Sequence, residues 1–263
     1  MLSEKEIKIL LIDWLFDKKM VDDAVIINEM VVANWSRRAD MAVANGRLYG
    51  FEIKSQFDSL RRLPGQLESF QEHFDKVVVV AAPKFISAIE RDYPDSIGIL
   101  EVSLSSGRPR LRQVRAGRIN EVKDIAKLAS LITKAELERF LRVNGVSDDA
   151  NLSRSEMVKK LYAKHIKKLR LYVLSCIKER YADSYRSFLR EREIFSTARS
   201  FELLSRTASS RVKLEQQLAK FSQVDGVEPE PRAEIPVNFA ALGLDSEALG
   251  DYMPQTVLVR SRG

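Results

Sequence analysis

Asp40-Met41-Ala42-Val43-Ala44-Asn45-Gly46-Arg47-Leu48-Tyr49-Gly50-Phe51-Glu52-Ile53-Lys54 is the segment from which the architecture follows. Its first five residues alternate and read as a short strand. Asn45-Gly46 is the strongest two-residue hairpin signal, because both central positions of a type I′ turn take φ > 0. Arg47 to Ile53 reads as the returning strand. Asp40 then opens one strand and Glu52 lies near the end of the next, so the two carboxylates come side by side. Glu52 and Lys54 are two apart and share a face. Two acids and an amine at one end of a hairpin can hold a hard divalent cation with an ammonium beside it.

The flanking sequence supplies the layers. Ser3, with Glu6 three residues on, predicts a capping box. Ile7, Leu10, Leu11, Trp14 and Leu15 then recur at helical spacing to about Lys19. Ala24 to Ala33 is rich in β formers. A helix begins at Arg61 or Pro64 and runs to about Phe74, since proline suits a first turn. Lys76 to Ala82 is an apolar run of the kind buried on both faces of a sheet. Pro83 opens a helix to about Tyr93, Ile97 to Val102 is a further strand, and Arg110 to Arg115 is a candidate edge strand. The order α-β-β-β-α-β-α-β predicts an α/β fold.

Beyond Gly117 the pattern turns almost wholly helical. Ile119 to Leu131 reads as one helix. Thr133 with Glu136, and Ser153 with Glu156, make two further capping boxes, and Asn144-Gly145 supplies a left-handed stop between them. This segment resembles SAP-like or helix-extended-loop-helix modules, many of which bind nucleic acid; a plain helical hairpin packed on the core is the alternative. From Lys164 to Phe221 the helical pattern continues and is strongly basic (Lys164, Lys167, Lys168, Arg170, Lys178, Arg180, Arg186, Arg190, Arg192). Tyr162, Tyr172, Tyr181, Tyr185 and Phe188 are interleaved with the bases. Such a mixture suits phosphate pairing and base stacking, but aromatics at this spacing are more often the buried side of a helix. Val224 to Pro236 reads as a Pro- and Glu-rich linker, and the remainder to Gly263 as a tail.

The net charge of +6 is unevenly placed. Residues 1–150 balance to about zero, residues 151–220 carry about +10 and residues 221–263 about −4, an asymmetry that points to a polyanion partner for the middle segment, with a solvated helical face as the alternative. The single cysteine, Cys176, excludes an internal disulfide and fits a reducing compartment. It lies in an apolar helical pattern and reads as a small buried hydrophobe. No stretch has the pattern of a signal peptide or approaches a membrane span, so the expected location is the cytoplasm, away from membranes. His73 and His165 are too few and too far apart for a zinc site or a histidine-based triad. Nothing matches a P-loop or a dinucleotide fingerprint.

Arg38-Ala39-Asp40 and Glu52-Ile53-Lys54-Ser55, followed by Asp58, Leu60, Arg62-Leu63-Pro64 and Gln66, resemble the D…(D/E)-x-K motif of the PD-(D/E)XK nuclease superfamily, in particular a small bacterial subgroup linked to DNA repair. The resemblance covers roughly the first 100 residues. It implies a restriction-endonuclease-like α-β-β-β-α-β core over residues 1–116. A basic helical domain follows over 117–223, then a linker and tail over 224–263. It further implies Mg²⁺, with Mn²⁺ as substitute, held by Asp40, Glu52 and the Ile53 carbonyl, with Lys54 orienting or deprotonating the attacking water. Glu29 is a further candidate ligand, and Glu4 or Glu6 its rival. Gln66 matches a glutamine that contacts site or substrate in several branches. Arg38, Arg61, Arg62, Lys164, Lys167 and Lys168 are candidate phosphate contacts. DNA is the expected partner, RNA is not excluded, and a homodimer is admitted because concerted double-strand cutting needs two sites. The alternative is a non-catalytic DNA-binding or adaptor protein that keeps the nuclease fold.

Overall fold

The computed structural model describes residues 2–32, 37–105, 107–146, 151–162, 165–204, 232–236 and 256–260. Met1–Val212 forms one compact unit and Lys213–Gly263 a second.

The first unit is a six-stranded mixed sheet with a helical C-terminal region. Helix α1 (Glu4–Asp17) precedes β1 (Val25–Val32), β2 (Arg37–Ala44) and β3 (Leu48–Lys54). Next come α2 (Leu63–Gln71), β4 (Lys76–Ala81), α3 (Pro83–Asp92), β5 (Gly98–Ser105) and β6 (Arg108–Arg115). The strands lie side by side in chain order. The pairs β1–β2, β2–β3 and β5–β6 are antiparallel, whereas β3–β4 and β4–β5 are parallel and joined through α2 and α3. Every residue of β3 is buried, as the apolar sequence and its place between β2 and β4 require. The exposed, arginine-rich β6 is an edge strand whose charges discourage further pairing.

The β2–β3 connection departs from the expected two-residue turn. Ala44 pairs with Leu48, so the loop is Asn45-Gly46-Arg47, closed by Asn45 N–H donating to the Arg47 carbonyl at 3.0 Å. Gly46 alone carries a positive φ, +95°. Asn45 keeps an ordinary φ and spends its side-chain amide on the Met20 carbonyl at 2.8 Å, tying the loop to the end of the α1 segment. Gly50 serves a different need: a Cβ there would lie 2.8 Å from the Phe74 ring. Its absence lets the α2–β4 corner press flat on β3.

The helical region begins later than expected. Only α4 (Ile125–Ser130) forms within residues 119–131, with Asp124 as its N-cap. The preceding residues are held extended by donors turned elsewhere: Asn120 N–H to the Asp75 carbonyl at 2.8 Å and Val122 N–H to the Asp75 carboxylate at 3.1 Å. The expected capping boxes of α1, α5 (Lys134–Val143) and α6 (Arg154–Lys159) all form. The long basic helix is α7 (Ile166–Ile194), which packs along β1. It stops at Phe195, whose extended backbone lets Ser196 cap the short α8 (Thr197–Ser200), followed by a 3₁₀ turn, Phe201–Leu204. The remainder of the helix expected to Phe221 lies outside the described residues. Part of the expected linker and tail is instead paired: β7 (Arg232–Pro236) runs antiparallel to β8 (Thr256–Arg260). No helix among the described residues is long and apolar enough to cross a membrane.

Much of the basic run on α7 is spent on folding. Arg170 grips the buried Asp75 at 2.7 Å, Arg180 pairs with Glu136 at 2.8 Å, and Lys178 pairs with Asp23 at 2.8 Å. Arg192 reaches Asp13 at 3.1 Å and lies over the Phe16 ring. Tyr185 and Phe188 are buried and stacked on each other, and Tyr172 packs on Phe140 while its hydroxyl donates to the Glu136 carbonyl. Tyr162 is the exposed member of the aromatic set. Cys176 is buried, and burial raises its thiol pKa.

Candidate active site

The paired ladder between β2 and β3 runs from Ala44↔Leu48 to Met41↔Phe51. The next residues along are Asp40 and Glu52. Here a side chain replaces the backbone acceptor: Ile53 N–H donates to Asp40 Oδ2 at 2.7 Å. That bond pins the Asp40 carboxylate against the last turn of pleat in β3. Glu52 is 2% exposed and Lys54 3% exposed, both on the face that α2 covers. Lys54 Nζ donates to Glu52 Oε1 at 2.6 Å and to Gln66 Oε1 at 3.0 Å. Gln66 reaches it because Leu63, Leu67 and Phe70 turn the apolar stripe of α2 onto the sheet, leaving Gln66 at its flank. Asp40, Glu52, Lys54 and Gln66 therefore converge at the carboxyl end of β3.

The acids there are crowded. Burial, then the neighbouring Glu52 charge, push Asp40 up to about 7, against the Ile53 N–H and Lys8, which favour the anion. Burial also raises Glu52, opposed by Lys54 and the Gln66 amide. The second oxygen of Glu52, Oε2, is buried with no hydrogen-bond partner. Glu4, in the first turn of α1, adds negative charge against both Asp40 and Glu52. Glu6 does not share this role, because it closes the capping box with Ser3.

Glu29 sits across from Asp40, between the pairs Asn28↔Met41 and Met30↔Ala39. Its φ of 59° is left-handed, an uncommon and costly state for a side chain in a strand. Its carboxylate is held by Arg38 at 3.0 Å and lies 3.6 Å from Lys8. Lys8 is 4% exposed and also pairs with Glu4 at 2.8 Å. Sequence reading passed over Lys8. Its signal is a lysine one residue after Ile7 on the face that also buries Leu11, Ile12 and Leu15.

The other candidates divide. Asp58 accepts from Ser55 N–H at 2.8 Å and Ser55 Oγ at 2.6 Å, locking the turn after Lys54. Arg61, Arg62, Lys167 and Lys168 are exposed, and among the described residues none has an ion-pair partner. Lys164 lies outside the described residues. His73 is buried on the Ser69 carbonyl, and His165 accepts from Tyr162 N–H.

Among the described residues no three His, Cys, Asp or Glu side chains converge as a metal cage. Asp40 and Glu52 make a two-carboxylate site, and Mg²⁺ commonly takes one or two carboxylates and keeps several waters. Glu52 Oε2 has no partner, and burial raises both carboxyls, with the facing Glu52 charge adding to it at Asp40; a cation between them would offset these costs, so the residues present fit such an ion.

A family model described as Bacteriophage P4 protein cII matches residues 1–205. Protein cII of Enterobacteria phage P4 is 41% identical over 189 residues, covering 72% of this chain and 72% of the phage protein. A solved structure of a protein of unknown function from Silicibacter pomeroyi aligns with a TM-score of 0.33 and 14% identity, over 53% of this chain and 89% of that one. That likeness is too slight to carry an argument. The family match takes in every element from α1 to the 3₁₀ turn after α8, with Asp40, Glu52, Lys54 and Gln66 among them. The chain belongs to the bacteriophage P4 cII protein family.

Proposed function

We propose that this chain is a cytoplasmic, divalent-metal-dependent nuclease of the PD-(D/E)XK type, built on a restriction-endonuclease-like core, with DNA as its substrate. The observation that carries the reading is the Asp40–Glu52 pair. Two carboxylates on central strands, both with raised proton affinity and one oxygen left without a partner, are costly without a use. The relatives' names state no chemistry, so the reading rests on these side chains.

Asp40 and Glu52 would hold Mg²⁺ or Mn²⁺, with the Ile53 carbonyl as the third ligand implied by the resemblance. Such an ion, when bound, lowers the pKa of a coordinated water and neutralises charge on the phosphoryl oxygens. The chain's own residues do the positioning. The Ile53 N–H fixes the rotation of the Asp40 carboxylate. Lys54 has three N–H donors, of which one goes to Glu52 and one to Gln66. The third is left to orient the attacking water or to meet charge developing on a phosphoryl oxygen. Gln66 keeps the ammonium from folding wholly onto Glu52. In the hydrolysis the water oxygen bonds to phosphorus and releases a proton, the opposite P–O ester bond breaks, and the leaving oxygen takes up a proton. Arg38, Arg61 and Arg62, at the entry to β2 and to α2, would hold flanking phosphates.

Cleavage of plasmid and end-labelled oligonucleotides, DNA and RNA, in Mg²⁺, Mn²⁺ and EDTA tests this. The expected result is metal-dependent cutting by the wild type, lost in Asp40→Ala and in Lys54→Ala. Cutting that survives in both variants overturns the assignment. Salt-sensitive DNA binding with no cutting by any form would select the adaptor reading instead.

A further inference from the structure

Next to the end of β3 that carries Lys54 lies a cavity of about 430 Å³, within the span of about 300–1,000 Å³ usual for small-molecule sites. Ile7, Ala82, Pro83, Val102 and Leu104 give it apolar walls, and Gln56 also lines it. Three of these residues are tied to the site already described. Gln56 follows Lys54 by two positions, Ala82 N–H donates to the Lys54 carbonyl at 2.8 Å, and Ile7 precedes Lys8 on α1. The Gln56 Nε2 group is buried without a hydrogen-bond partner. A buried amide donor without a partner is unfavourable, and a turn of the Gln56 side chain into the cavity it lines would let an acceptor there satisfy it. The next residue, Phe57, is 73% exposed, an unusual placement for a phenyl ring and one that offers a stacking face.

We propose that this cavity receives one unstacked nucleobase of the strand whose phosphate lies at Asp40 and Glu52. The inference rests on the nuclease reading and narrows its substrate. Apolar walls clasp the base faces, and the Gln56 amide, turned into the cavity, donates to a ring nitrogen or carbonyl on the base edge. A planar ring with edge acceptors is the ligand that satisfies both the hydrocarbon and the orphaned donor. A base inside an intact duplex cannot enter without unpairing, so the preferred substrates carry unpaired or easily extruded bases.

The test uses single-stranded oligonucleotides with 2-aminopurine placed at successive positions, bound to the full chain in EDTA so that no cutting intervenes. At one position the fluorescence should rise roughly two-fold or more as the base leaves its stack. Leu104→Trp, a substitution at a 75% exposed residue on the cavity rim, should abolish the rise. Gln56→Ala should reduce it, with thermal melting of both variants unchanged or raised. In Mg²⁺, Leu104→Trp should slow cutting roughly ten-fold, except on a substrate abasic at that position. DNA that binds with no rise at any position, or a rise that both variants keep, overturns the pocket. Cutting with no change in fluorescence sinks the pocket and leaves the nuclease standing. A rise lost in Leu104→Trp without cutting by the wild type does the reverse.

Discussion

Asp40 shows how far surroundings reset a side chain. Its carboxyl is pushed up to about 7, and Glu52 is raised as well. A raised folded-state pKa means the folded chain binds the proton more tightly than the unfolded chain does. The associated stability is present in full at pH below about 4 and is lost as the pH rises through about 7. The metal-free protein should therefore melt at a higher temperature at about pH 5.5 than at pH 8. The difference is on the order of a few kcal/mol, since each tenfold gain in proton affinity on folding contributes about 1.4 kcal/mol. Asp40→Asn should remove most of that slope, read by calorimetry in EDTA; an unchanged slope would mean that other groups set it. Lys54 belongs to the same chemistry. Lys54→Ala strips the buried Glu52 of its counter-charge and should cost about 3–5 kcal/mol in urea unfolding. The double change Lys54→Met with Glu52→Gln should recover most of it, while both remain inactive. The convergence of Asp40, Glu52 and Lys54 was legible in the sequence because strand alternation and a short hairpin determine it locally, whereas Gln66, on α2, was implied by the family resemblance alone. The buried Lys8, and the capture of Glu29 by Lys8 and Arg38, were not legible, since they depend on how α1 crosses a strand more than 20 residues away in the chain.

At the scale of elements, the close fit of the α2–β4 corner on β3 is what brings Gln66 to Lys54. Gly50 makes room for Phe74, which is itself edge-on to Phe70. Gly50→Ala puts a methyl 2.8 Å from that ring and should cost about 1–3 kcal/mol of stability. It should also slow cleavage, because α2 must shift outward and carry Gln66 with it. Adding Phe74→Leu should restore part of both; a Gly50→Ala protein of wild-type stability would show that the corner is looser than this packing. The elements whose ends are set by near neighbours were readable, and the three capping boxes at Ser3, Thr133 and Ser153 formed as their spacing implies. Those set at long range were not. The helix expected over 119–131 gives way to extended chain because Asp75, some 47 residues earlier, claims the Val122 N–H. The Asn45-Gly46 turn takes a third residue because Asn45 is drawn to Met20. The strand pairing of β7 with β8 joins segments 20 residues apart, beyond any local pattern.

Over the whole molecule, charge must serve both folding and binding, and composition alone does not divide the two. The basic run on α7 reads in sequence as one polyanion-binding surface, yet Arg170, Lys178, Arg180 and Arg192 are paired with acids of α1, the sheet and α5 or their flanking turns. Lys167, Lys168 and Arg190 are exposed, and among the described residues they have no ion-pair partner. If α7 meets the phosphate backbone, these three carry the contact. Each neutralised phosphate contributes about 0.9 to the slope of log affinity against log salt on duplex DNA. Replacing all three with glutamine should then lower that slope by about 2–3 without changing the melting temperature, because none of them holds the fold. Arg180→Gln should do the opposite, costing stability through the half-buried Glu136 pair while leaving the slope intact. Fluorescence anisotropy of a labelled duplex across a series of potassium chloride concentrations separates the two. A slope unmoved by the triple change would remove α7 from the binding surface and leave Arg38, Arg61 and Arg62, beside the acids, as the cations that meet DNA.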